Sequence, residues 1–293
     1  MRAVEDLHFD LAPGETLGVL GESGCGKTAL ARALAGLQGI GGGGVVLAGR
    51  DLAKSGWSGS RRRIQMLFAD PRDSLDPRLA VAQSIAEPLE SLCPELGETA
   101  RATRIADALE RCGVPGLAER RPPELTDADC QAVCLARVLA VRPDVLVCDE
   151  PERVLGAPQR EDLVARIRDV QIERGLAVVM TSARPEVLSA LCQRVLVMSL
   201  GRVLEQGEVT EMFARPRHPY TRALLATDLQ GERPDPSNPP SGCVFRTRCA
   251  MADELCSRET PYLRRVSESG HAACHYVHGA ADEESVGEAR TRA

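Results

Sequence analysis

The sequence lacks the features of a nucleic-acid-binding chain and of a membrane-spanning chain. Its 293 residues carry a formal net charge of −6, so there is no basic excess with which to grip the phosphates of DNA or RNA. No apolar run approaches the roughly 20 residues that a transmembrane helix needs, and the first residues lack the basic and apolar regions of a secretory signal. These absences predict a cytosolic protein with no nucleic-acid partner and only indirect contact with a membrane.

Lysine is almost missing, and the place where it is kept is informative. Lys27 and Lys54 are the only lysines among 36 basic residues. Lys27 belongs to Gly21-Glu22-Ser23-Gly24-Cys25-Gly26-Lys27-Thr28, which matches the phosphate-loop pattern G-x-x-x-x-G-K-[ST] between a strand-like run and a run of helix formers. In such a loop backbone N–H groups surround the β-phosphate, Lys27 reaches the β and γ oxygens, and Thr28 offers its hydroxyl to Mg²⁺. The pattern predicts a nucleotide site.

A second motif supports this interpretation. Val145-Leu146-Val147-Cys148-Asp149-Glu150 is an apolar strand that ends in two carboxylates. Asp149 would orient Mg²⁺, and Glu150 would polarise the attacking water. An acidic strand end is common and indicates little alone, but together with the phosphate loop it predicts an ATP site.

The order of elements predicts an α/β fold. Strand-like runs at 16–20, 145–148, 177–181 and 194–198 alternate with helical stretches, which favours a largely parallel sheet of the P-loop NTPase kind. Residues from about 73 to 141 have helical periodicity and predict a helical insertion. The amino-acid composition becomes rich in proline and arginine after Gly207. We therefore predict a nucleotide-binding domain over 1–207, an extension over 208–279 and a disordered tail over 280–293.

Eleven cysteines fall into sets that predict different chemistry. Six of them are dispersed among apolar or helical stretches and are predicted to be buried thiols: Cys93, Cys112, Cys130, Cys134, Cys148 and Cys192. Four crowd into a short C-terminal region, Cys243, Cys249, Cys256 and Cys274, and in a cytosolic protein such crowding favours a metal over disulfides. Their spacing does not choose between Zn²⁺ and [4Fe–4S], and free reduced thiols remain the alternative.

These motifs resemble the ABC ATPase family, and further stretches resemble its oligopeptide/dipeptide importer branch. Residues 64–71 with Ser74-Leu75-Asp76-Pro77-Arg78 are similar to the Q-loop region of that branch, and residues 218–225 are similar to the opening of its C-terminal extension. The likeness runs from about residue 3 to residue 276. It implies an ATP-binding subunit, peripheral on the cytoplasmic face of the membrane, that works with two integral-membrane permease subunits and indirectly with an extracytoplasmic solute-binding protein. It also implies a [4Fe–4S] cluster on the four C-terminal cysteines.

The sequence departs from the family at several catalytic positions. The Q-loop glutamine aligns with Ala69, the D-loop aspartate with Gly156 and the switch histidine with Ala183, and no histidine occurs between His8 and His218. The signature, which caps the γ-phosphate of ATP on the opposite subunit, aligns with Leu125-Thr126-Asp127-Ala128-Asp129. Two carboxylates there would repel a phosphate.

The N-terminal segment departs from the family as well. The family stacks adenine on an aromatic ring upstream of the phosphate loop, where this sequence offers only Phe9, in an alternating pattern that favours core packing. A late chain start, with the first strand missing or the start site misassigned, would produce this pattern.

Together the matches and departures predict a subunit that binds MgATP, hydrolyses it slowly or not at all, and forms a heterodimer with a more complete ATPase subunit. Loss of one preorganised transition-state contact typically costs about 10²- to 10³-fold in rate, whereas ground-state contacts made by the phosphate loop are retained. Whether the chain is an enzyme therefore stays open. The alternatives are a non-catalytic regulatory or scaffold subunit of such an assembly and, less favoured, a soluble redox sensor.

Overall fold

A computed structural model describes residues 3–277 of the chain, and the tail predicted to be disordered, 280–293, lies outside the described residues. Within these residues the strands are β1 (Thr16–Leu20), β2 (Val46–Leu47), β3 (Arg50–Asp51), β4 (Ile64–Leu67), β5 (Val145–Asp149), β6 (Ala177–Ser182), β7 (Arg194–Ser199), β8 (Arg202–Glu208), β9 (Arg264–Arg265) and β10 (His271–Ala272). The α-helices are α1 (Lys27–Leu34), α2 (Leu52–Ser55), α3 (Val81–Leu92), α4 (Glu98–Arg111), α5 (Asp127–Ala140), α6 (Ala157–Arg174), α7 (Pro185–Leu191), α8 (Val209–Ala214), α9 (Pro219–Leu225) and α10 (Glu254–Arg258). Short 3₁₀ turns lie at Ser58–Ser60, Pro115–Leu117, Pro122–Glu124 and Arg246–Arg248.

The chain forms two compact units. The first comprises residues 3–10, 17–27 and 183–277 of the described chain, and the second comprises 11–16 and 28–182. A change in composition predicted a domain boundary at residue 207. That boundary remains a prediction.

In the first unit β1 pairs in parallel with β7, and β7 pairs antiparallel with β8. The short strand β10 then pairs antiparallel with both β8 and β9. The side chains of Leu17, Val19 and Val195 are completely buried, as expected for apolar runs in the interior of a sheet. This unit is therefore mixed where the sequence predicted largely parallel pairing, because β8 returns antiparallel to β7 after the turn at 200–201 and β10 and β9 add antiparallel at the edge of β8.

In the second unit β4, β5 and β6 are parallel, with Ile64 opposite Val145 and Val145 opposite Ala177. Leu146 and Val178 are completely buried. The strands predicted at 145–148 and 177–181 are confirmed to within one residue at each end. Their Val- and Leu-rich runs fit strands covered on both faces.

Between β4 and β5 the chain is mostly helical. Helices α3, α4 and α5 occupy this stretch, and α5 is buried along most of its length. Among the described residues no helix combines the length and the apolar character needed to cross a bilayer. The six dispersed cysteines are buried thiols that form no disulfide, as predicted.

Candidate functional site

In the first unit the phosphate loop connects the end of β1 to the start of α1, and its glycines are required by the backbone. Gly24 and Gly26 have φ angles of +80° and +112°, which side-chain-bearing residues rarely adopt. A Cβ atom on Gly26 would lie 2.5 Å from the carbonyl oxygen of Ala3. The loop can therefore turn as tightly as phosphate binding requires.

Lys27 is buried at the end of this loop. Its side chain is 3% exposed, and its Nζ donates hydrogen bonds to the carbonyl oxygens of Gly21, at 2.6 Å, and Glu22, at 2.9 Å. A buried ammonium needs such acceptors to offset its loss of hydration. The loop conformation therefore holds the charge of Lys27 on the concave side of the loop. There phosphate oxygens can replace the two carbonyl oxygens as its acceptors.

In the second unit Thr28 and Asp149 form a hydroxyl–carboxylate pair. The Thr28 hydroxyl and the Thr181 hydroxyl each donate to Oδ1 of Asp149 at 3.1 Å. Burial raises the pKa of the Asp149 carboxyl, and the two hydroxyl hydrogen bonds act against this rise. One hydroxyl and one desolvated carboxylate are hard oxygen ligands of the kind that Mg²⁺ accepts together with phosphate oxygens and water. These residues fit the magnesium role predicted for them.

Glu150 follows Asp149 with a strained backbone. Its φ angle is +44°, in the left-handed region that is unfavourable for a residue with a side chain. Its backbone N–H donates to the carbonyl oxygen and to the hydroxyl of Thr181, both at 3.1 Å. Strain of this kind, typically about 1–3 kcal/mol, persists where the surroundings fix the conformation and is concentrated at functional sites. It sets the direction in which the Glu150 carboxylate leaves the strand.

The segment aligned with the family signature opens α5, and its own carboxylates occupy this helix start. Thr126 caps the helix by accepting from the Asp129 N–H at 3.2 Å, and Asp129 accepts in return from the Thr126 N–H at 3.1 Å. The Asp127 carboxylate pairs with Arg72, whose Nε lies 2.5 Å away, and Arg72 also donates to the Leu125 carbonyl at 2.9 Å. Two of the N–H groups at this helix start, those of Thr126 and Asp129, are thus engaged locally.

The other divergent positions carry small residues. Ala69 is half-buried in the loop after β4, Gly156 caps the start of α6, and Ala183 is exposed after the end of β6. Next to Ala183 in sequence, Ser182 is buried, and its hydroxyl donates to the buried Glu152 carboxylate. The sequence analysis did not single out Glu152, because its burial depends on the fold and not on a motif.

The C-terminal cysteines gather at one place but do not form a metal site. Cys243, Cys249, Cys256 and Cys274 line one small cavity with residues such as Phe245. Among residues 3–277, however, no group of three or more histidine, cysteine, aspartate or glutamate side chains is arranged to hold a metal ion. The [4Fe–4S] cluster predicted here is therefore wrong, and the Zn²⁺ alternative is likewise without a site.

Burial also affects the protonation of two of these thiols. Burial raises the pKa of Cys243 to about 11, and burial also raises the pKa of Cys249. These two environments favour the neutral thiol over the thiolate. The sequence spacing correctly predicted that the four cysteines lie close together. It could not predict how their sulfur atoms are directed or solvated.

The same C-terminal region reaches the phosphate loop through contacts that the sequence analysis missed. The Glu22 carboxylate accepts hydrogen bonds from Arg248 and Arg233, and the Glu22 N–H donates to the Tyr220 hydroxyl. The partners stand 198 to 226 residues away from Glu22 along the chain. No local pattern could have paired them.

Comparisons with known proteins agree with these motifs. Residues 4–153 match the family model described as ABC transporter, and residues 204–256 match that described as oligopeptide/dipeptide transporter, C-terminal region. The oligopeptide transport ATP-binding protein OppF of Haemophilus influenzae is 38% identical over 94% of this chain and 88% of its own length. OppF of Escherichia coli is 38% identical over 90% of this chain and 84% of its own length. Among solved structures, CbiO1 of Clostridium perfringens, part of the ABC transporter complex CbiONQ, has a TM-score of 0.66 and 26% identity over 73% of this chain and 84% of its own.

Proposed function

Because the chain belongs to the ABC transporter family, as an ATP-binding subunit of the oligopeptide/dipeptide importer type, we propose that it binds MgATP through residues 21–28 with Asp149, and that hydrolysis at its own site is impaired. The observation that carries the binding role is the Thr28–Asp149 pair, held at 3.1 Å directly after a buried lysine. Glycine, lysine, threonine and aspartate each occupy the position that the chemistry of a nucleotide site requires.

The chain's own groups divide the work of binding. Backbone N–H groups of residues 24–28 would surround the β-phosphate at the N-terminus of α1, and Lys27 would exchange its two carbonyl acceptors for phosphate oxygens. Thr28 and Asp149 would hold Mg²⁺, which when bound neutralises phosphate charge. Glu150 would accept a hydrogen bond from the attacking water.

Impaired hydrolysis is supported by two kinds of departure. Ala69 and Ala183 replace side chains that the family uses near the γ-phosphate, and each loss costs about 10²- to 10³-fold in rate where such contacts have been removed. Asp127 and Asp129 put negative charge where a neighbouring subunit's ATP would be capped. The N–H groups of Thr126 and Asp129 already donate to side chains of the same segment. ATP binding depends less on these positions, because they act on the γ-phosphate and on closure.

The proposed setting is the cytoplasmic face of a membrane, in an importer of peptides or a related small solute. The chain would pair with a second, more complete ATPase subunit as a heterodimer, and the helices between β4 and β5 would face two permease subunits. An extracytoplasmic solute-binding protein would act on the same permeases from the other side. The four-cysteine region, residues 208–279, would be the C-terminal extension of this branch.

Turnover measurements on the purified assembly test the proposal. The native chain is compared with Glu150→Gln and with Ala183→His. We expect Glu150→Gln to leave the ATPase rate of the assembly within about twofold, because the partner carries it. Ala183→His should raise the rate by no more than about twofold, because one further competent site can at most double the total. If Glu150→Gln abolishes turnover, this site hydrolyses ATP and the impairment is refuted, while the binding role stands.

A further inference from the structure

Glu22, the second residue of the phosphate loop, is held through every polar group that it has. Its N–H donates to the Tyr220 hydroxyl at 3.2 Å, and its carbonyl oxygen accepts from Lys27 at 2.9 Å. Its carboxylate accepts from Nη1 of Arg248 at 2.6 Å and from Nε of Arg233 at 3.1 Å. Three of these four partners belong to residues 220–248, the segment that begins in α9 and ends just before Cys249.

Burial makes the Arg248 contact the strong one. The side chain of Arg248 is 5% exposed and that of Glu22 is 13% exposed, whereas the side chain of Arg233 is 59% exposed. A charge pair screened from water is stronger than an exposed one, and removal of one member leaves the other charge buried without its partner. Arg248 donates through a second nitrogen to the same carboxylate at 3.4 Å, and its Nε donates to the Gln230 carbonyl at 2.9 Å. It therefore ties the loop to its own segment.

The backbone contact at Tyr220 adds to this hold. Tyr220 is completely buried, and burial raises the pKa of its hydroxyl, so the group is neutral and can accept the Glu22 N–H. Its ring packs edge-on against Phe245, with ring centroids 5.2 Å apart. A hydroxyl fixed in this way defines where the Glu22 backbone can lie.

Displacement of Glu22 would reach the nucleotide-binding groups directly. Lys27 donates to the carbonyl oxygens of Gly21 and Glu22, so a shift of these carbonyls changes the resting position of the ammonium. Gly21 packs closely against β7, because a Cβ there would lie 2.4 Å from the Met198 carbonyl oxygen, and no larger residue fits. The arrangement of Glu22 is therefore transmitted to Lys27 through two hydrogen bonds.

We propose that Arg248 and Tyr220 are positioning residues for ATP binding, which hold Glu22 so that the phosphate loop stays in its nucleotide-binding conformation and residues 220–248 set the affinity for MgATP. This inference rests on the proposed role of residues 21–28. It assigns to the C-terminal segment a part in nucleotide affinity, through its contacts with Glu22 and through the hydrogen bond from Arg233 to the Ser23 carbonyl oxygen at 3.4 Å.

The experiment titrates the full chain with MgATP, by displacement of a fluorescent ATP analogue, and records the nucleotide-free melting temperature of each variant. The test variant is Arg248→Gln. The matched control is Arg246→Gln in the same 3₁₀ turn, because Arg246 donates to the Ser241 carbonyl oxygen and hydroxyl, within its own segment. If the phosphate loop is in its nucleotide-binding conformation for only a fraction of the time, the apparent Kd for MgATP rises by the inverse of that fraction. We expect this Kd to rise by about 3- to 10-fold for Arg248→Gln and by less than about twofold for Arg246→Gln.

Conservative variants separate positioning from mere stability. Arg248→Lys keeps the charge without the two-pronged contact, so its Kd should fall between those of the native chain and Arg248→Gln. Adding Arg248→Gln to Glu22→Gln should raise the Kd no further than Glu22→Gln alone does, because both changes remove one contact. An Arg248→Gln variant that melts earlier but binds MgATP as tightly as Arg246→Gln overturns the proposal.

Two further variants keep the question decidable. If Arg248→Gln does not fold, Tyr220→Phe removes only a hydroxyl and should itself weaken MgATP binding by about 2- to 5-fold through the same loss of loop competence; an unchanged Kd for Tyr220→Phe overturns the proposal. Lys27→Ala reports on the loop itself. Loss of binding in Lys27→Ala with native affinity in Arg248→Gln refutes the positioning role alone, whereas native affinity in Lys27→Ala refutes the proposed nucleotide site.

Discussion

At the scale of one residue, His218 shows how burial keeps a side chain neutral. The free-energy cost of burying the charged imidazolium exceeds the stabilisation that its hydrogen bonds provide. Its Nδ1 accepts from the Tyr220 N–H at 3.0 Å and caps the start of α9. Burial lowers the pKa of His218 to about 4, the charge of Arg222 acts in the same direction, and the Ala273 carbonyl opposes it. The Glu205 carboxylate accepts from two backbone N–H groups, that of Arg217 at 2.7 Å and that of His218 at 2.9 Å.

The pKa of His218 predicts an acid-sensitive fold. Since the folded pKa lies below the unfolded value of about 6.5, protonation favours the unfolded chain, and the stabilising contribution is complete above pH 6.5 and is lost as the pH falls toward 4. We expect the native chain to lose up to about 3 kcal/mol more than His218→Asn over this window, since asparagine can cap the helix without titrating. Urea unfolding at several pH values measures the difference. Parallel pH profiles for the two proteins would contradict the assignment.

At the scale of one element, the residues aligned with the family signature stabilise the start of α5 through contacts with their own neighbours. Two side chains there close a reciprocal cap, in which Thr126 and Asp129 each accept from the other's backbone N–H. The sequence predicted like-charge repulsion at this place from the carboxylates alone. It did not predict that one carboxylate would serve the helix and the other would pair with Arg72, because these contacts depend on side-chain direction.

This cap has a measurable weight in stability. We expect Asp129→Ala to lower the free energy of unfolding by about 1 kcal/mol, as caps generally do, and Asp129→Asn to change it by less than about 0.5 kcal/mol because asparagine keeps an acceptor oxygen. Asp127→Asn is the matched control, since its exposed pair with Arg72 contributes little. Equal losses for Asp129→Ala and Asp129→Asn in urea unfolding would mean that the charge, and not the acceptor, matters.

The strands show which elements a sequence can predict. Long apolar runs such as Val145–Asp149 and Arg194–Ser199 were located to within a residue or two, because burial on both faces leaves a continuous hydrophobic signal. The two-residue strands Arg264–Arg265 and His271–Ala272 carry no such signal. They exist because the edge of β8 offers them hydrogen bonds, and that edge is a property of the fold.

At the scale of the whole molecule, ligand binding and folding are linked. A ligand that binds only the folded chain stabilises it by about 2.7 kcal/mol at one hundred times its Kd, which corresponds to a rise in melting temperature of roughly 4–8 °C for a chain of this size. We expect this rise with MgATP for the native chain, a smaller one with ATP and excess chelator, and none for Lys27→Ala. An equal shift in Lys27→Ala would place the nucleotide elsewhere.

Contacts between distant parts of the chain mark the limit of prediction from sequence. The phosphate loop, Asp149 and Glu150 were singled out by motif, because the chemistry proposed for them demands particular residues at fixed spacing. The pairing of Glu22 with Arg248 spans 226 residues, and neither residue is unusual in its own surroundings. At the four C-terminal cysteines the prediction from sequence was wrong for a different reason. Their spacing suggested a metal site, but the described residues do not have the arrangement that binding a metal requires.

The scarcity of lysine makes the chain its own chemical reporter. Lys54 extends into solvent with 85% of its side chain exposed, while Lys27 is 3% exposed. An amine-directed reagent therefore meets, besides the N-terminal amine, one fast lysine and one protected lysine. The mass of the slowly modified peptide, followed over time, would report how fast the phosphate loop opens, without a probe being engineered into the chain.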